Sequence, residues 1–224
     1  MKRKIISTSD GSKTIHIEDW NEQYHSVHGA IQEANHVFIK HGLIFFIESL
    51  YKTSTIRILE IGFGTGLNTF LTLLKAKELN YKIDYVGVDA YPVTKEEIHQ
   101  LNYAELISKK DKFQFEKLHK TVWETSQSIT SDFKLEKQEK FFKDINSDEE
   151  FDIIYFDAFG ARVQPELWTE SIFEIMYKAM RSNSVLVTYS AKGSVRRAMQ
   201  AVGFIVERLP GPPGKREMLR ATKR

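Results

Sequence analysis

Three glycines at alternate positions, Gly62, Gly64 and Gly66, directly follow an apolar run from Ile56 to Ile61, and a segment of helical spacing from Leu67 to Leu79 comes next. This order predicts a buried strand, a tight turn and a helix N-terminus, which together bring bare backbone against a nucleoside cofactor. Glycine is needed because the turn requires positive φ angles and a Cβ would stand between the chain and its ligand. The G-x-G-x-G spacing differs from the G-x-G-x-x-G of dinucleotide enzymes, and a glycine-rich turn in some other α/β protein stays open as the alternative.

An acidic residue, Glu60, stands two positions before the first of these glycines, and Asn68 follows the last. With this acid, the loop resembles the S-adenosylmethionine (SAM) loop of class I methyltransferases. In that family the loop passes under the methionine and ribose parts of the cofactor. The resemblance therefore implies SAM as cofactor, with Glu60, Asn68 and the three glycines among the residues that bind it.

Two further acids are candidates for cofactor contacts, because ligands of open α/β sheets bind beyond the carboxyl ends of the strands. Asp89 ends the predicted strand Tyr85–Asp89, and its two carboxylate oxygens suit the two hydroxyls of a ribose. Asp144 lies in a predicted strand, Phe141–Ile145, and could accept a hydrogen bond from the adenine amino group. A surface acid at a strand end is the alternative for Asp89.

Asp157 is the candidate for chemistry. It follows the apolar run Ile153–Phe156 and is flanked by Phe159, so its carboxylate is expected to be partly desolvated. Desolvation is unfavourable unless a cation or hydrogen-bond donors compensate. A cationic amine substrate would compensate, and the neighbouring aromatics could hold a base or a sulfonium methyl. The alternative is a carboxylate that caps a neighbouring helix.

Composition limits the kind of site. The chain has 224 residues, 42% of them hydrophobic, and no cysteine, which excludes disulfides, thiol nucleophiles and cysteine-ligated zinc. His25 and His36 lie eleven apart without the paired spacing of metal ligands, so no metal site is predicted. No apolar run approaches the ~20 residues of a membrane span, and no signal-peptide core follows Met1–Lys4. We therefore expect a cytoplasmic protein without membrane contact.

Positive charge is concentrated at the C-terminal end. Residues 191–224 hold nine basic and two acidic residues, a balance of +7, so the other residues sum to −5. Such a bias is either the footprint of a polyanion such as RNA or an ordinary solvated surface. Lys215 and Arg216, after the stiff loop 210–214, are predicted to contact RNA phosphate or the target nucleoside, together with Lys192, Arg196 and Arg197.

Strands and helices alternate regularly from residue 56 onward, which predicts a parallel sheet. Later strands are expected at Ser184–Ser190 and in a closing antiparallel pair, Gly203–Leu209 and Lys215–Ala221. Residues 1–22 suggest a hairpin or edge strands around the turn at Asp10-Gly11, and a helix is expected from Ile31 to Leu50, which Gly42 could break or kink. The predicted class is α/β, with a Rossmann-like class I methyltransferase sheet, helices on both faces, a closing antiparallel pair and a small N-terminal extension (residues 1–54) before a methyltransferase domain (55–224).

Several stretches in order resemble the methyltransferase half of the bifunctional tRNA 5-methylaminomethyl-2-thiouridine biosynthesis proteins, and their stand-alone bacterial versions. The matching stretches span nearly the whole chain: residues 24–26, 29–30 and 33, residues 36–39, residues 60–68, residues 156–159 and 165–169, residues 188–193 and 195–197, and residues 211–218. The fused FAD-dependent oxidase half has no counterpart here, so methyl transfer alone is expected.

The resemblance implies transfer of a SAM methyl group to the primary amine of 5-aminomethyl-(2-thio)uridine at the wobble position of tRNA, with the anticodon stem-loop as partner. We predict that Asp157 hydrogen-bonds the amine, orients its lone pair and receives or relays its proton. Tyr24, Glu33, Phe159 and Tyr189 are predicted to line the substrate pocket.

Other functions stay open at this stage. A methyltransferase or aminopropyltransferase of the same fold could act on a small-molecule amine, and such an enzyme needs no basic face. A non-catalytic SAM- or RNA-binding protein is the second alternative. A monomer is expected.

Overall fold

The computed structural model describes residues 2–49 and 55–224, which form two β-sheets and the helices packed on them. The strands are β1 (Arg3–Ser7), β2 (Lys13–Ile17), β3 (Glu22–Gln23), β4 (Thr55–Ile61), β5 (Lys82–Asp89), β6 (Gln127–Thr130), β7 (Phe133–Glu139), β8 (Phe151–Phe156), β9 (Met180–Thr188), β10 (Ile205–Pro210) and β11 (Glu217–Lys223). The helices are α1 (the continuous segments Ala30–Ala34, Asn35–Ile44 and Phe45–Ser49), α2 (Leu67–Leu79), α3 (Lys95–Ile98), α4 (Tyr103–Ile107), α5 (Lys112–Lys120), α6 (Glu170–Ala179) and α7 (Gly193–Ala201).

The main sheet has eight strands in the order β10-β11-β9-β8-β4-β5-β7-β6. The five central strands run parallel, whereas β10 with β11 on one edge and β6 beside β7 on the other are antiparallel. This arrangement confirms the predicted fold class, including the closing antiparallel pair. Each strand of that pair begins two residues later than predicted.

Helices cover both faces of the main sheet, and strand β8 shows how the core divides between them. Ile153 and Tyr155 face the layer that contains α1 and α2, whereas Ile154 and Phe156 face the layer that contains α6 and α7. All four side chains are completely buried. Because parallel strands covered on both faces have no solvated side, they read as continuous apolar runs, which is the pattern that predicted this strand.

Helix α1 runs unbroken through Gly42, the residue that could have broken or kinked it. A Cβ at Gly42 would stand 3.0 Å from the Tyr155 ring and 3.1 Å from Val187. The glycine therefore lets the helix lie directly on the sheet instead of ending it. The middle of the helix, Asn35–Ile44, is π-helical. Leu50, the last residue of the predicted helix, lies outside the described residues.

The N-terminal segment forms its own antiparallel sheet, which confirms the hairpin predicted around Asp10-Gly11. Arg3 pairs with Ile17 and Ser7 with Lys13, and β3 adds to the other side of β2. The predicted boundary between residues 54 and 55 has one side outside the described residues and stays a prediction. In the described ranges, no helix is long and apolar enough to cross a membrane.

One strand prediction is wrong. Residues 141–145 contain a 3₁₀ turn, Phe142–Asp144, and the strand that pairs with β5 lies earlier, at β7. The third inward position of β7 is Lys137, only 2% exposed, whose Nζ donates a hydrogen bond to the carbonyl oxygen of His119. A lysine at a core position breaks the apolar alternation, so the sequence pattern hides this strand.

Candidate active site

A cleft of about 760 Å³ opens beyond the carboxyl ends of β4, β5 and β8. One wall is the glycine loop with the tips of β5 and β8. The opposite wall comes from the N-terminal sheet, from helix α1 and from the loop before β11. The candidate residues on its surface are Tyr24, Glu33, Gly62, Gly64, Asp89, Asp157, Phe159, Tyr189 and Lys215.

Two of the three loop glycines form the floor of the cleft. Gly62 has a φ of 90° and Gly64 a φ of 49°, both in the region that favours glycine. A Cβ on Gly62 would lie 2.8 Å from the carbonyl oxygen of Asp157, and one on Gly64 would lie 3.2 Å from the Tyr24 ring. Gly66 differs, because it lies outside the cleft wall and makes room for the His119 ring, 3.0 Å from its would-be Cβ. A direct cofactor contact by Gly66 is therefore not what the structure shows.

Glu60 and Asn68 are buried and are not among the residues that line the cleft; their direct contact with the cofactor stays a prediction. Glu60 is fully buried and accepts hydrogen bonds from Asn68 Nδ2, Thr69 Oγ1 and Tyr85 OH, each at 2.9 Å. The same Asn68 Nδ2 donates to Asp157 Oδ2 at 2.8 Å. Since side chains alternate along a strand, Glu60 points into the layer under α2. These two residues hold Asp157 and the loop in place.

Asp89 is on the cleft wall, as expected, and is tied to the glycine loop. Its Oδ2 accepts a hydrogen bond from the backbone N–H of Gly64 and its Oδ1 from that of Tyr91, both at 2.9 Å. Burial raises the pKa of the Asp89 carboxyl, and the two backbone hydrogen bonds oppose the rise. Its role toward a ribose stays a prediction.

Asp144 is exposed and does not line the cleft, although its neighbours Phe141, Phe142 and Lys143 do. The predicted strand that would have aimed it inward is a 3₁₀ turn. The strand on which its assignment to the adenine amino group was based is therefore absent, and the contact itself stays a prediction.

Asp157 is half-buried in the cleft directly beside the glycine loop, and its backbone N–H donates to the Ile61 carbonyl at 2.9 Å. Burial raises the pKa of its carboxyl well above the usual range, and the charges of Glu33 and Glu60 act in the same direction. The hydrogen bond from Asn68 and the charge of Lys215 oppose this rise. The site thus holds a carboxyl group with high proton affinity on the wall of an open cavity.

Aromatic side chains stand next to Asp157. The Phe159 ring lies edge-on to Trp20 at 5.5 Å and to Tyr24 at 5.0 Å between ring centroids. The indole N–H of Trp168 fixes the backbone by donating to the Phe159 carbonyl at 2.8 Å. Trp20 was missed by sequence reasoning, because no local pattern reveals that the N-terminal sheet closes over the tip of β8.

An ion pair between a half-buried lysine and a buried glutamate completes the cleft on the side of β9. Lys215 Nζ pairs with Glu33 Oε1 and lies 3.8 Å above the centroid of the Tyr189 ring. Glu33 Oε2 accepts a hydrogen bond from the backbone N–H of Ser26 at 2.9 Å, and Tyr189 OH donates to the Ala158 carbonyl at 2.8 Å. The structure therefore places Lys215 inside the cleft, apart from its neighbour Arg216.

Much of the C-terminal charge is used within the fold. Arg208 pairs with Glu217, Arg220 with Glu207 and Lys223 with Glu149. Arg196 is half-buried, whereas Lys192, Arg197 and Arg216 are exposed. We call these three exposed residues the basic rim; Lys192 and Arg197 lie at and within the N-terminal part of α7, which follows β9, and Arg216 lies between Lys215 and the start of β11. Neither Lys192 nor Arg216 lines the cleft, and their role in substrate binding stays a prediction.

Comparison with known proteins identifies the family. Residues 95–224 match the family described as S-adenosyl-L-methionine-dependent methyltransferase. The chain belongs to this family. It is an enzyme that uses SAM as methyl donor.

The methyltransferase also resembles longer proteins. It is 28% identical to the tRNA 5-methylaminomethyl-2-thiouridine biosynthesis bifunctional protein MnmC of Hydrogenovibrio crunogenus, over 97% of this chain and 33% of that protein. With the Leptospira interrogans protein of the same name it shares 29% identity, over 90% of this chain and 32% of that protein. The chain thus spans about a third of the length of these curated relatives.

Solved structures give the same picture of the fold. MnmC2 from Aquifex aeolicus superimposes with a TM-score of 0.81 at 26% identity, covering 100% of this chain and 70% of that chain. Spermidine synthase from Thermotoga maritima gives a TM-score of 0.57 at 13% identity, covering 99% of this chain and 73% of that chain. The second likeness concerns the fold alone.

The cleft fits SAM. Gly62 and Gly64 line the cleft, and a Cβ on them would meet the carbonyl oxygen of Asp157 and the Tyr24 ring, respectively. Asp89 lines the cleft beside them and accepts the backbone N–H of Gly64. Gly62, Gly64 and Asp89 are the residues that would hold the cofactor. When bound there, SAM supplies an electrophilic methyl group on a positively charged sulfur.

The buried carboxyl group of Glu60 should make the stability of the fold depend on pH. Burial raises the pKa of its carboxyl to about 8, against hydrogen bonds from Asn68, Tyr85 and Thr69. In the unfolded chain the group titrates near pH ~4.3, so between these values the folded state binds more protons and stability falls as pH rises. In Glu60→Gln we expect the unfolding free energy to fall less steeply as pH rises, with a slope that is smaller by up to about 1.4 kcal/mol per pH unit.

Urea denaturation at a series of pH values within that window measures the slope. The exposed Glu78, which pairs with Lys75, provides the matched control Glu78→Gln, whose slope should equal that of the unmodified protein. An unchanged slope in Glu60→Gln would mean that Glu60 is ionised throughout the window.

Proposed function

We propose that the chain transfers the methyl group of SAM to the primary amine of 5-aminomethyl-(2-thio)uridine at wobble position 34 of tRNA. The observation that carries the proposal is Asp157, a carboxyl group of raised pKa beside the glycine loop in an aromatic-walled cleft. The names of the curated relatives support the acceptor, and so does the exposed basic rim.

The main chemical requirement of this reaction is a neutral amine, and Asp157 is placed to provide it. An alkyl amine with a pKa near ~10 is mostly protonated at neutral pH, and only its neutral form has a lone pair. A carboxylate of high proton affinity can take the proton from the ammonium group and keep the amine hydrogen-bonded in place. The Asn68 hydrogen bond to Oδ2 sets the orientation of the carboxylate, and the orientation and proximity of the amine supply the remaining acceleration.

The aromatic wall suits both partners of the transfer. The edge-on set formed by Trp20, Tyr24 and Phe159 offers flat apolar surface for a pyrimidine, and aromatic faces attract the cationic methyl donor and the methylammonium product. By displacing water, these rings also strengthen the interaction between Asp157 and the amine.

The N-terminal extension is part of this proposal. We infer that residues 1–54 are an extension that packs on a catalytic domain of residues 55–224 and completes its cofactor site. The Tyr24 ring lies against Gly64, and His25 Nε2 is 2.7 Å from Thr65 Oγ1 in the glycine loop. Burial lowers the pKa of His25 to about 4, so the ring stays neutral in this contact at physiological pH.

The acceptor can be tested directly. Purified protein is incubated with SAM and with tRNA that carries 5-aminomethyluridine at position 34, and the nucleosides are analysed by mass spectrometry. We expect conversion to 5-methylaminomethyluridine and, in a deletion strain, accumulation of the unmethylated form. No conversion of this tRNA by a protein that binds SAM would overturn the proposal.

A small-molecule amine is the competing acceptor, because the acidic and aromatic cleft would also admit one. Free 5-aminomethyluridine and simple polyamines, assayed beside the tRNA, separate the two. Activity on a free amine that matches the activity on tRNA and does not depend on salt would favour the competitor.

The basic rim gives a prediction about RNA binding. We expect Arg197→Ala with Arg216→Ala to raise the KM for tRNA several-fold and to lower the slope of log affinity against log salt by roughly one for each phosphate that is no longer bound. SAM affinity, measured by calorimetry, should not change. The exposed Lys109 and Lys110, replaced by alanine, remove the same charge elsewhere. An equal effect of the two double variants would contradict a specific contact at the rim.

A further inference from the structure

The carboxylates of the cleft differ in how their charge is compensated. Glu22 pairs with Arg162 at 3.0 Å, and Asp89 accepts two backbone N–H groups. Glu166 is exposed at the rim. The remaining two, Glu33 and Asp157, line the same cleft, and the charge of Glu33 adds to burial in raising the pKa of Asp157.

Glu33 is neutralised from within the chain. It is 7% exposed, and one of its oxygens pairs with Lys215 while the other accepts the Ser26 N–H. The Lys215 ammonium is held a second time by the face of the Tyr189 ring, 3.8 Å away, a contact that is favourable for a desolvated cation. With two partners inside the cleft, this lysine is placed for a role other than contacting phosphate.

Asp157 lacks such a partner. Among residues 2–49 and 55–224, no lysine or arginine forms an ion pair with it, and its hydrogen bond comes from the neutral amide of Asn68. The titratable groups that change the pKa of Asp157 are Glu33 from α1, Glu60 from β4 and Lys215 from the loop before β11. Burial and the charge of Asp157 in turn raise the pKa of Tyr189, which follows β9.

We propose that the Glu33–Lys215 ion pair is a charge-balancing element that leaves Asp157 as the carboxylate available to a bound cation, so that the acceptor amine is held beside the sulfonium in its neutral form. The argument is one of charge. A sulfonium and an ammonium in the same desolvated cleft need two negative charges, and Glu33 is already occupied. The amine therefore loses its proton on binding, and Asp157 relays that proton to bulk water and returns to the carboxylate form opposite the sulfonium. Lys215 is a positioning residue that favours this nucleophilic state of the amine.

This inference rests on the proposed function, in which the acceptor is an amine. It predicts opposite effects for substitutions of the two residues of the ion pair. Lys215→Met leaves Glu33 unpaired, so the cleft becomes more negative and retains the ammonium form. The acidic limb of the profile of log kcat against pH should move up by roughly one pH unit, the shift typical of one nearby charge. Glu33→Gln should move the limb down and raise the KM, because it leaves a cation in the cleft.

The double variant is the decisive measurement. Glu33→Gln combined with Lys215→Met removes both charges, so the limb should return close to that of the unmodified enzyme, and Lys215→Arg should keep the original profile. If Lys215 served only to bind phosphate, Lys215→Met would raise the KM for tRNA without moving the acidic limb of the kcat profile. Adding Glu33→Gln would then not restore the KM. That result would overturn the inference.

A second readout needs neither RNA nor cofactor. The ¹³C chemical shift of the Asp157 carboxyl, identified by its absence in Asp157→Asn, is titrated by NMR in the cofactor-free protein. We expect the pKa of Asp157 to rise in Lys215→Met, fall in Glu33→Gln and return in the double variant. Equal titration curves in all four proteins would refute the charge balance even if tRNA is methylated, whereas failure of tRNA methylation with shifted curves would refute the acceptor alone.

Discussion

Asp157→Asn should abolish most methyl transfer while SAM still binds. We expect kcat to fall by roughly 10²- to 10⁴-fold, the range for loss of a positioned acid–base group. Asparagine has the same shape, and its side-chain oxygen can still accept the hydrogen bond that Asn68 donates at 2.8 Å. It cannot take a proton from an ammonium group, so the amine stays protonated and has no lone pair to attack the methyl group.

Single-turnover kinetics with tRNA measures this loss, and calorimetry with S-adenosylhomocysteine measures the cofactor site separately. The matched control is Asp148→Asn, which removes an exposed carboxylate paired with Lys178 at 3.9 Å and should leave kcat unchanged. Loss of a general base lowers the rate by at least about 10²-fold. If Asp157→Asn kept more than about a tenth of the kcat, the loss would be too small, and Asp157 would not be the proton acceptor.

Gly62→Ala should have the second large effect, this time on the cofactor site. A Cβ at this position lies 2.8 Å from the backbone carbonyl oxygen of Asp157 and belongs to a residue with a φ of 90°. Relief requires backbone movement, because no flexible side chain can turn away. Both the loop and Asp157 must shift, so we expect SAM affinity to fall at least roughly tenfold and kcat to fall further, since small misplacements reduce rates by about 10²-fold.

Gly11→Ala separates this contact from backbone strain. Gly11 has a φ of 81°, and its would-be Cβ meets no atom within 4 Å. Alanine there carries the same left-handed penalty of roughly 1–2 kcal/mol in stability, yet it should leave SAM binding intact. Calorimetric titration with SAM and thermal unfolding of both variants provide the comparison. An equal loss of SAM affinity in both would show that strain, and not the approach of Asp157, explains the effect.

Local chemistry made several features predictable. Helix α2 begins and ends at the predicted residues, Leu67 and Leu79, because its apolar spacing is helical and Gly66 and Asn80, both in the left-handed region, stand at its ends. The apolar runs that became β4 and β8 are buried on both faces, so their composition alone marked them as central strands. Ligands of parallel sheets bind beyond the carboxyl ends of the strands, and this rule then marked acids at strand ends as candidate site residues.

The differences at Glu60 and at Lys215 have a common origin in side-chain direction. Glu60 stands in the same motif as the glycines, yet it points under α2 toward Tyr85 and not into the cleft. Lys215 and Arg216 are neighbours, yet one enters the cleft and the other faces solvent. Neither difference has a signature in residue type or spacing.

Residue order and type were sufficient for the α/β class, the glycine loop and the acid beside it, because periodicity and the need for positive φ act over a few neighbouring residues. Contacts across large separations were beyond that reach: Trp20 against Phe159, Glu33 with Lys215, and Asn68 between Glu60 and Asp157. They depend on how the sheet, α1 and the N-terminal strands pack together. The charge state of Asp157 is a property of that packing, since burial and the neighbouring charges set it.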